Sequence, residues 1–488
     1  MLDQAWQTVV NFAQSHSVWL MVISWFIFAV GMLQNIINAI QLPAAWLELK
    51  RHSQAEDTES TWQLLISDVA VPISVLVPAY NEAATIVANV RSMLFLQYPD
   101  VEIVVINDGS SDNTLEVLIE AFSLKPVSRA HEIRVPHAPM RGLYASKLYP
   151  GLLVVDKENG KGKADATNAG VNFSRNPLYC VVDADSLLEP EALLRSVRPF
   201  MENPAEMVAV GGTIRVLNGC TVVDGQIVDV ALPNRFLPLV QSLEYIRAFL
   251  MARLAWSHWG MLSIVSGAFG IFRRDLTIEV NGFSRDTVGE DYDLVVKLHR
   301  HMMDNNKPYA MRYVPEPVCW TEAPETLNIL GNQRKRWQRG AIEVMLKNRS
   351  MVLNPRYGKF GMLGLTNNLL VDVIGPIAEL LGYLLIPLFW SMGVLNFTYI
   401  AALIAIFMVF GVFISVSTLI LEEMELKRMP RASDLAWLGL MAVVENFGYR
   451  QLNSIWRMMG SWQFLRKDTS WGEMVRKGAV APAKAKKD

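Results

Sequence analysis

The sequence predicts an α/β fold in which a doubly wound, Rossmann-like mixed sheet is flanked by transmembrane helices. Between residues 71 and 211, short runs rich in Val and Ile alternate with amphipathic stretches, as in strands wound with helices. Long apolar runs lie on both sides of that region. The chain is 51% apolar and its mean hydropathy is positive, which is typical of membrane proteins. The strand-like runs are 73–78, 102–106, 152–156, 179–183 and 207–211.

Length and charge narrow the class of protein. The 488 residues allow two or three domains. The formal net charge of −2 gives no reason to expect a nucleic-acid partner. The three cysteines, Cys180, Cys220 and Cys319, are too widely spaced for a zinc site or a disulfide framework, so we expect reduced thiols.

The first apolar run covers residues 18–40 and contains no charged residue. As a helix it is about 34 Å long, enough to cross a bilayer core. Residues 1–17 hold no Lys or Arg, whereas Lys50 and Arg51 follow the run. The positive-inside rule therefore predicts an extracytoplasmic N-terminus at 1–17 and a cytoplasmic chain after residue 40. Residues 41–70 have the composition of a polar linker, which would lead into a cytoplasmic α/β domain at 71–328.

The C-terminal part predicts amphipathic interface helices at 329–360 and two further spans at 363–394 and 397–421. The turn between the spans is uncharged, while Lys427 and Arg428 follow the second, which predicts an in–out–in hairpin.

A third stretch, 435–459, begins apolar and then carries Glu445, Arg450 and Arg457. It is interpreted as a transmembrane, re-entrant or interfacial helix. The last two are favoured, because a span would put the basic tail at 460–488 outside the cytoplasm.

Polar residues follow the first two predicted strands, at the edge where a doubly wound sheet binds its ligands. Residues 79–82 read AYNE and residues 107–110 read NDGS. Both segments also suit ordinary turns, and Asp112 suits the cap of the following helix. A ligand role is favoured for Asp108, an acid at the open end of the sheet.

Residues 158–168 read ENGKGKADATN, with glycine and lysine between a predicted strand and a helix. Backbone amides and Lys163 at such a place can hold phosphate. The alternative is a plain surface turn, and the spacing is not that of a Walker A loop.

Asp183 and Asp185 follow the strand-like run at 179–183. Two carboxylates beside a buried strand are costly without a cationic partner, and a divalent metal held with phosphate oxygens is a natural one. The structural alternative is a helix cap by Asp185.

Two later motifs carry further candidates. Residues 288–294 read VGEDYDL, where Asp291 would be a catalytic base at a helix start or simply an acid that favours the helix dipole. Residues 333–340 read QRKRWQRG, which could instead anchor on anionic lipid, with Trp337 at the membrane interface. The run at 265–270, VSGAFG, precedes both.

Taken in order, these motifs resemble the processive, membrane-integrated family 2 glycosyltransferases, which include cellulose, hyaluronan, chitin and poly-N-acetylglucosamine synthases. The resemblance covers about residues 70–345. Asp108, the Asp183–Asp185 pair, the GED motif at 289–291 and QxxRW at 333–337 appear in the family's order. The last motif marks polymerising members.

The resemblance implies a GT-A-type sheet and a role for each candidate. Ala79, Tyr80, Glu82, Asp108, Lys163, Asp183, Gln333 and Arg336 would bind the donor nucleotide and its diphosphate. Ser266, Gly267 and Trp337 would bind the acceptor, and Asp185 would bind Mg²⁺ or Mn²⁺. Asp291, with Glu290 beside it, would be catalytic.

The resemblance further implies an inverting, processive β-glycosyltransferase in the bacterial inner membrane, with its catalytic domain in the cytoplasm. Its partners would be a UDP-sugar, a growing glycan and the lipid bilayer. A small membrane subunit or a second copy of the chain would complete a channel. The FxVTxK gating motif of cellulose synthases is missing after QxxRW, and the NDGS and GKAD runs favour a poly-N-acetylglucosamine or chitin-oligosaccharide type using UDP-GlcNAc. Two alternatives stay open: transfer of one sugar to a lipid phosphate, and a degenerate transferase acting as a membrane receptor or assembly subunit.

Overall fold

The computed structural model describes residues 17–55, 70–392, 396–425 and 431–467. Several predictions lie outside the described residues: the N-terminus at 1–16, residues 56–69 of the predicted linker, Lys427 and Arg428, and the tail from residue 468.

A ten-stranded mixed sheet forms the centre of the α/β domain, which confirms the predicted fold class. In the described chain its order is β3-β4-β5-β2-β1-β6-β11-β8-β12-β7, and β9 and β10 form a separate hairpin. The strands are β1 Ile73–Ala79, β2 Val101–Asn107, β3 Leu124–Pro126, β4 Met140–Ser146, β5 Leu152–Lys157, β6 Leu178–Val182, β7 Leu187–Leu188, β8 Met207–Val216, β9 Thr221–Val223, β10 Gln226–Asp229, β11 Phe269–Arg273 and β12 Ala310–Thr321.

Strands β5, β2, β1 and β6 run parallel, and their Val and Ile side chains are buried because helices cover both faces. Strand β11 is antiparallel to both β6 and β8, which interrupts the parallel order. All five strand-like runs of the sequence are strands of this sheet.

The strand register brings the polar segments to one edge. Ala79 at the end of β1 pairs with Asn107 at the end of β2, and Asn107 pairs with Asp156 of β5. Phe269 at the start of β11 pairs with Val182 at the end of β6. The loop before β11 therefore lies beside the Asp183 turn.

The helices pack on both faces of the sheet and continue towards the C-terminus. They are α1 Ser17–Ala55, α2 Ile86–Leu94, α3 Thr114–Phe122, α4 Lys163–Phe173, α5 Ala192–Glu202, α6 Phe236–Tyr245, α7 Arg253–His258, α8 Arg274–Glu279, α9 Glu290–Asp304, α10 Leu327–Lys347, α11 Leu365–Asn368, α12 Gly375–Ser391, α13 Phe397–Glu425, α14 Ala432–Val444 and α15 Tyr449–Leu465. Three π-helical segments, Ile246–Ala252, Phe360–Gly364 and Leu369–Ile374, join or precede α7, α11 and α12.

The linker prediction is wrong for residues 41–55, because α1 continues through them without a break. Ala45 and Leu49 on this extension are buried in the main hydrophobic core. Glu48 pairs with His258 at 2.9 Å and with Arg312 at 3.5 Å. Glu48, one of the charged residues that suggested a linker, is thus a polar contact of a docked helix.

Within the described residues, three helical stretches are long and apolar enough to cross a membrane: Met21–Ser53, Phe360–Ser391 and Ile400–Met424. The region predicted as interface helices at 329–360 holds α10 and two 3₁₀ turns, Arg349–Met351 and Pro355–Tyr357. The stretch predicted at 435–459 as a transmembrane, re-entrant or interfacial helix consists of two helices, α14 and α15. A turn at 445–448 separates them, and Gly448 in this turn adopts a left-handed backbone with φ 92°.

Candidate active site

A cleft of about 1650 Å³ runs from the ends of β1 and β2 to helix α10. It also reaches α1 and residues 367–372, which belong to the helical stretches long enough to cross a membrane. All fourteen candidate site residues line it. These are Ala79, Tyr80, Glu82, Asp108, Lys163, Asp183, Asp185, Ser266, Gly267, Glu290, Asp291, Gln333, Arg336 and Trp337. Side chains spread over more than 250 positions of the chain therefore face one space.

The inner end of the cleft is built around Asp108. Its backbone amide donates to Ala79 O at 2.9 Å, and its carboxylate accepts from Gly160 N at 3.0 Å. The same carboxylate pairs with Lys157, a lysine with no exposed surface that also pairs with Asp165 at 2.8 Å. Asp108 is thus held rigidly against the 158–168 loop.

Asp165 anchors the 158–168 loop to the buried part of the domain. It is buried, accepts from Ala138 N at 2.9 Å and pairs with Arg285 at 3.0 Å. Burial opposes ionisation of Asp165, but the Ala138 amide and the Lys157 ammonium outweigh it and lower its pKa. The carboxylate therefore stays charged and fixes the loop that leads to Lys163.

The rim beside Asp108 carries Tyr80 and Glu82. Tyr80 is half exposed, and Glu82 accepts from Thr85 Oγ1 at 2.9 Å. Asn81, between them, has a positive φ of 57° and accepts from Ser111 N at 2.8 Å. Asparagine tolerates this conformation, so Asn81 ties the β1 loop to the β2 loop. Asp112 Oδ1 accepts from Thr114 N, in the first residue of α3, at 3.0 Å, although the cap position itself is Asn113.

The backbone N–H and C=O of Gly267 each bind one candidate side chain in the cleft. Gly267 N donates to Asp291 Oδ2 at 2.8 Å, and Lys163 Nζ donates to Gly267 O at 2.6 Å. Lys163 also pairs with Asp183. Burial opposes the charge on Lys163, but the carboxylates of Asp183 and Glu290 outweigh it and raise the pKa of Lys163. A charged ammonium thus links the Asp183 turn to the Asp291 helix.

Asp185 lies two residues beyond Asp183 and contacts Ser186 Oγ at 3.4 Å. The next helix begins only at Ala192, so the helix-cap alternative for Asp185 is wrong. The described residues contain no cluster of three or more acidic, His or Cys side chains that could enclose a metal. The arrangement fits a cation that takes one or two protein carboxylates and its other ligands from a bound diphosphate.

Asp291 and Glu290 occupy the first turn of α9, after the cap at Gly289. Asp291 Oδ1 accepts from Tyr292 N at 2.8 Å, so both its oxygens are oriented by backbone amides. Glu290 is buried, and burial followed by the Asp291 charge raises its pKa to about 7. The Asp291 carboxylate is therefore oriented by backbone amides, while the pKa of the Glu290 carboxyl beside it lets that group keep its proton to a higher pH than an ordinary glutamate.

Helix α10 carries the QxxRW motif, and its Gln333, Arg336 and Trp337 line the cleft. Its Gly340 packs so closely on Gly289 that a Cβ there would lie 3.0 Å from the Gly289 backbone. Glu343, one turn later, accepts from Val288 N at 2.9 Å. Helix α10 is therefore fixed against the start of α9. Trp337 is 45% exposed, and the buried Gln333 Oε1 has no hydrogen-bond partner within the described chain.

Two family models match this chain. The one described as Glycosyl transferase family 2 matches residues 74–276, and the one described as Glycosyl transferase family group 2 matches residues 180–416. The chain belongs to glycosyltransferase family 2. The two matches together include every candidate site residue, and the family predicted from the motifs is confirmed.

The relatives of this family 2 transferase include polysaccharide synthases. Over 275 residues it is 30% identical to the poly-beta-1,6-N-acetyl-D-glucosamine synthase of Staphylococcus epidermidis and 28% identical to that of Staphylococcus aureus strain COL. Each alignment covers 56% of this chain and 56% of the relative. The matched region thus spans about half the length of these curated relatives.

A solved structure supports the fold of the transferase. The mannosyltransferase PcManGT from Pyrobaculum calidifontis, in complex with GDP-Man and Mn²⁺, aligns with a TM-score of 0.50. The alignment covers 91% of this chain and 99% of that one, at 17% sequence identity. Likeness at this identity concerns the fold alone.

Sequence reasoning about the transferase missed the groups that hold the candidates. Lys157 ends the buried strand β5, and a lysine there is a signal that an acid must lie nearby. The contacts of Gly267 gave no local signal, because Lys163 lies 104 positions before Gly267 and Asp291 lies 24 positions after it.

Proposed function

We propose that this chain is an inverting, processive β-glycosyltransferase that polymerises sugar from a UDP-sugar donor into an exported polysaccharide. The single observation that carries the proposal is that Gly267 binds both Asp291 and Lys163 through its backbone, in a cleft that Trp337 also lines. UDP-GlcNAc is the favoured donor, because the matched relatives are named poly-beta-1,6-N-acetyl-D-glucosamine synthases.

The proposed reaction is one displacement at the anomeric carbon. The acceptor hydroxyl forms the new glycosidic bond while the bond to the nucleoside diphosphate breaks, so an α-linked donor gives a β-linked product. Asp291 accepts the hydroxyl proton, because Gly267 N and Tyr292 N orient the two oxygens of its carboxylate in the cleft. The departing diphosphate carries the electron pair and the negative charge.

Cationic groups suit the leaving-group end. Lys163 lies beside Asp183 with a raised pKa, and Arg336 lines the same cleft. Both favour a diphosphate whose charge grows during the reaction. The uridine would lie between Tyr80 and Asp108, and Ser266 and Gly267 would shape the acceptor pocket.

Asp185 would hold a divalent cation, Mg²⁺ or Mn²⁺, together with the donor diphosphate. Such an ion supplies charge neutralisation of the leaving group. The solved mannosyltransferase contains Mn²⁺ and a nucleotide sugar, which supports a divalent ion here without choosing between the two metals.

The three long apolar helices would span the bacterial inner membrane, with the α/β domain in the cytoplasm. Helix α10 and its Trp337 adjoin the membrane-side helices, so a growing chain would leave the cleft towards the bilayer. A small membrane subunit or a second copy of the chain would complete the exit path.

The test is incubation of the purified protein in detergent with a panel of labelled UDP-sugars and either Mg²⁺ or Mn²⁺. We expect long product from one donor, degradable by a β-specific glycosidase, and no product after chelation with EDTA. Products of one added sugar would contradict processivity and favour single transfer. No consumption of any donor would contradict the enzyme itself and favour the receptor or assembly role.

A further inference from the structure

One face of the Trp337 ring is covered by a cation from its own helix. The guanidinium carbon of Arg334 lies 4.5 Å from the ring centroid, within the range of a cation–π contact. Arg334 occupies the first variable position of QxxRW, one turn before Trp337, so both side chains share a helix face. The exposed part of the ring is left to face the cleft.

Arg334 is itself held in one orientation. It is buried, and its two terminal nitrogens donate to Glu244 Oε1 and Oε2 at 2.8 and 2.7 Å. A guanidinium gripped by both oxygens of a carboxylate cannot rotate freely. The position of the Arg334 guanidinium over the Trp337 ring is therefore set by Glu244 of helix α6.

Glu244 takes a third hydrogen bond, from Tyr449 in the C-terminal helix α15. Tyr449 Oη donates to Glu244 Oε2 at 2.8 Å, and Tyr449 is buried. Unlike Glu244 and Arg334, Tyr449 does not line the cleft. The Tyr449 hydroxyl is thus linked to the Trp337 ring through Glu244 and Arg334.

The rest of α15 packs tightly on α10. A Cβ on Gly331 would lie 2.8 Å from Trp456 Nε1, and one on Gly460 would lie 2.5 Å from Lys335 O. Arg457 Nε donates to Gln338 Oε1 at 2.7 Å. Helix α15, which includes Tyr449, is therefore fixed in position against helix α10 and its QxxRW motif.

From these contacts we infer that Tyr449, Glu244 and Arg334 are positioning residues that hold Trp337 in one ring orientation for the acceptor sugar. The inference rests on the proposed acceptor role of Trp337. The sugar's apolar face stacks on the open face of the ring, so a tilted or mobile ring loses acceptor contact. The C-terminal helix thereby acts on chain elongation without touching donor or acceptor.

The kinetic test is Tyr449→Phe, which removes one hydroxyl outside the cleft. The matched control is Tyr383→Phe, because Tyr383 Oη likewise donates to a carboxylate, Glu379, at 2.7 Å, and Glu379 leads to Ser454 of α15 rather than to Glu244 and Arg334. The probes are UDP-GlcNAc and a β-1,6-linked N-acetylglucosamine tetrasaccharide. We expect the KM for the tetrasaccharide to rise about fivefold in Tyr449→Phe, the size of a partly lost cation–π contact, with the KM for donor unchanged and shorter polymer. Equal behaviour of the two variants would overturn the inference.

A second measurement needs no substrate. Trp337 in protein labelled with 5-fluorotryptophan is assigned in the ¹⁹F spectrum by its disappearance in Trp337→Phe. Arg334→Lys keeps the charge but loses the planar fork, so we expect it and Tyr449→Phe to shift or broaden the Trp337 signal, and Tyr383→Phe to leave it unchanged. An unmoved signal in the first two variants would overturn the inference. If the signal moves but the wild type transfers nothing to the tetrasaccharide, the inference about ring orientation holds and the proposed donor or acceptor is wrong.

Discussion

Gly267→Ala is the smallest change that strains the centre of the cleft. An added Cβ would lie 3.2 Å from Asp291 Oδ2 and 3.2 Å from Lys163 Nζ. Ordinary contacts to a Cβ begin a few tenths of an ångström further out, so both groups must retreat by about that much. Both atoms are side-chain ends, and the fold can absorb the shift, but the base and the lysine cannot keep their places on the Gly267 peptide.

The expected loss follows from that displacement. Misplacing a catalytic group by about 1 Å can cost roughly 100-fold in rate, so a few tenths of an ångström should lower kcat about tenfold. That factor corresponds to about 1.4 kcal/mol in activation free energy. The melting temperature should change little, because no buried backbone is forced to move.

The assay is initial-rate sugar transfer by detergent-purified protein at saturating donor, with the melting temperature measured in parallel. The matched control is Gly439→Ala, since a Cβ at Gly439 meets nothing within 4 Å and alanine favours the helix. If Gly267→Ala keeps kcat within about twofold of Gly439→Ala, the bridging role of Gly267 is wrong.

Three further predictions concern single groups. Asp291→Asn should retain donor binding, measured by UDP titration, and lose turnover by about 10²- to 10⁴-fold; an equal loss of both would contradict the base role. Trp337→Ala should shorten or abolish polymer on sizing gels, and unchanged length would exclude the acceptor role. Glu290 binds its proton up to about pH 7 in the folded protein but only to about pH 4.5 when unfolded, so its contribution to stability falls as pH rises between these values. Glu290→Gln should therefore flatten the decline in melting temperature from pH 5 to 8, and an unchanged slope would refute the assigned pKa.

The sheet was predictable because its signal is local. Strands β1, β2, β5 and β6 are short, mostly apolar runs rich in Val, Ile and Leu, as expected of strands buried on both faces. Strand β11 was not predicted, although its residues were noted as a motif. Its place between β6 and β8 depends on pairing with segments about 60 to 90 residues away, which leaves no periodic trace.

The site was predicted by residue type and chain order, and the cleft collects those residues, while their roles stay predictions. What the sequence could not reveal is how they are held. Three contacts that hold them join distant segments and form only in the folded chain. These are the Lys157–Asp108 ion pair, the Gly267–Asp291 hydrogen bond and the Arg334–Glu244 pair.

The boundary error at residues 41–55 has a physical cause. Hydropathy marks where a helix would leave the bilayer, not where the helix ends. Helix α1 continues past residue 40 because Ala45 and Leu49 bury against the core. The turn at 445–448 depends instead on the left-handed backbone of Gly448, which hydropathy does not reveal.

Helix α1 would also set the distance between the catalytic domain and the membrane if it spans the bilayer as proposed. Its 39 residues, with Pro43 among them, extend for about 58 Å, of which a bilayer core would take about 30 Å. The remainder is fixed to the domain by Leu49 and by the Glu48 ion pairs. The cleft would then have little freedom to tilt, and its distance from the membrane surface would stay constant.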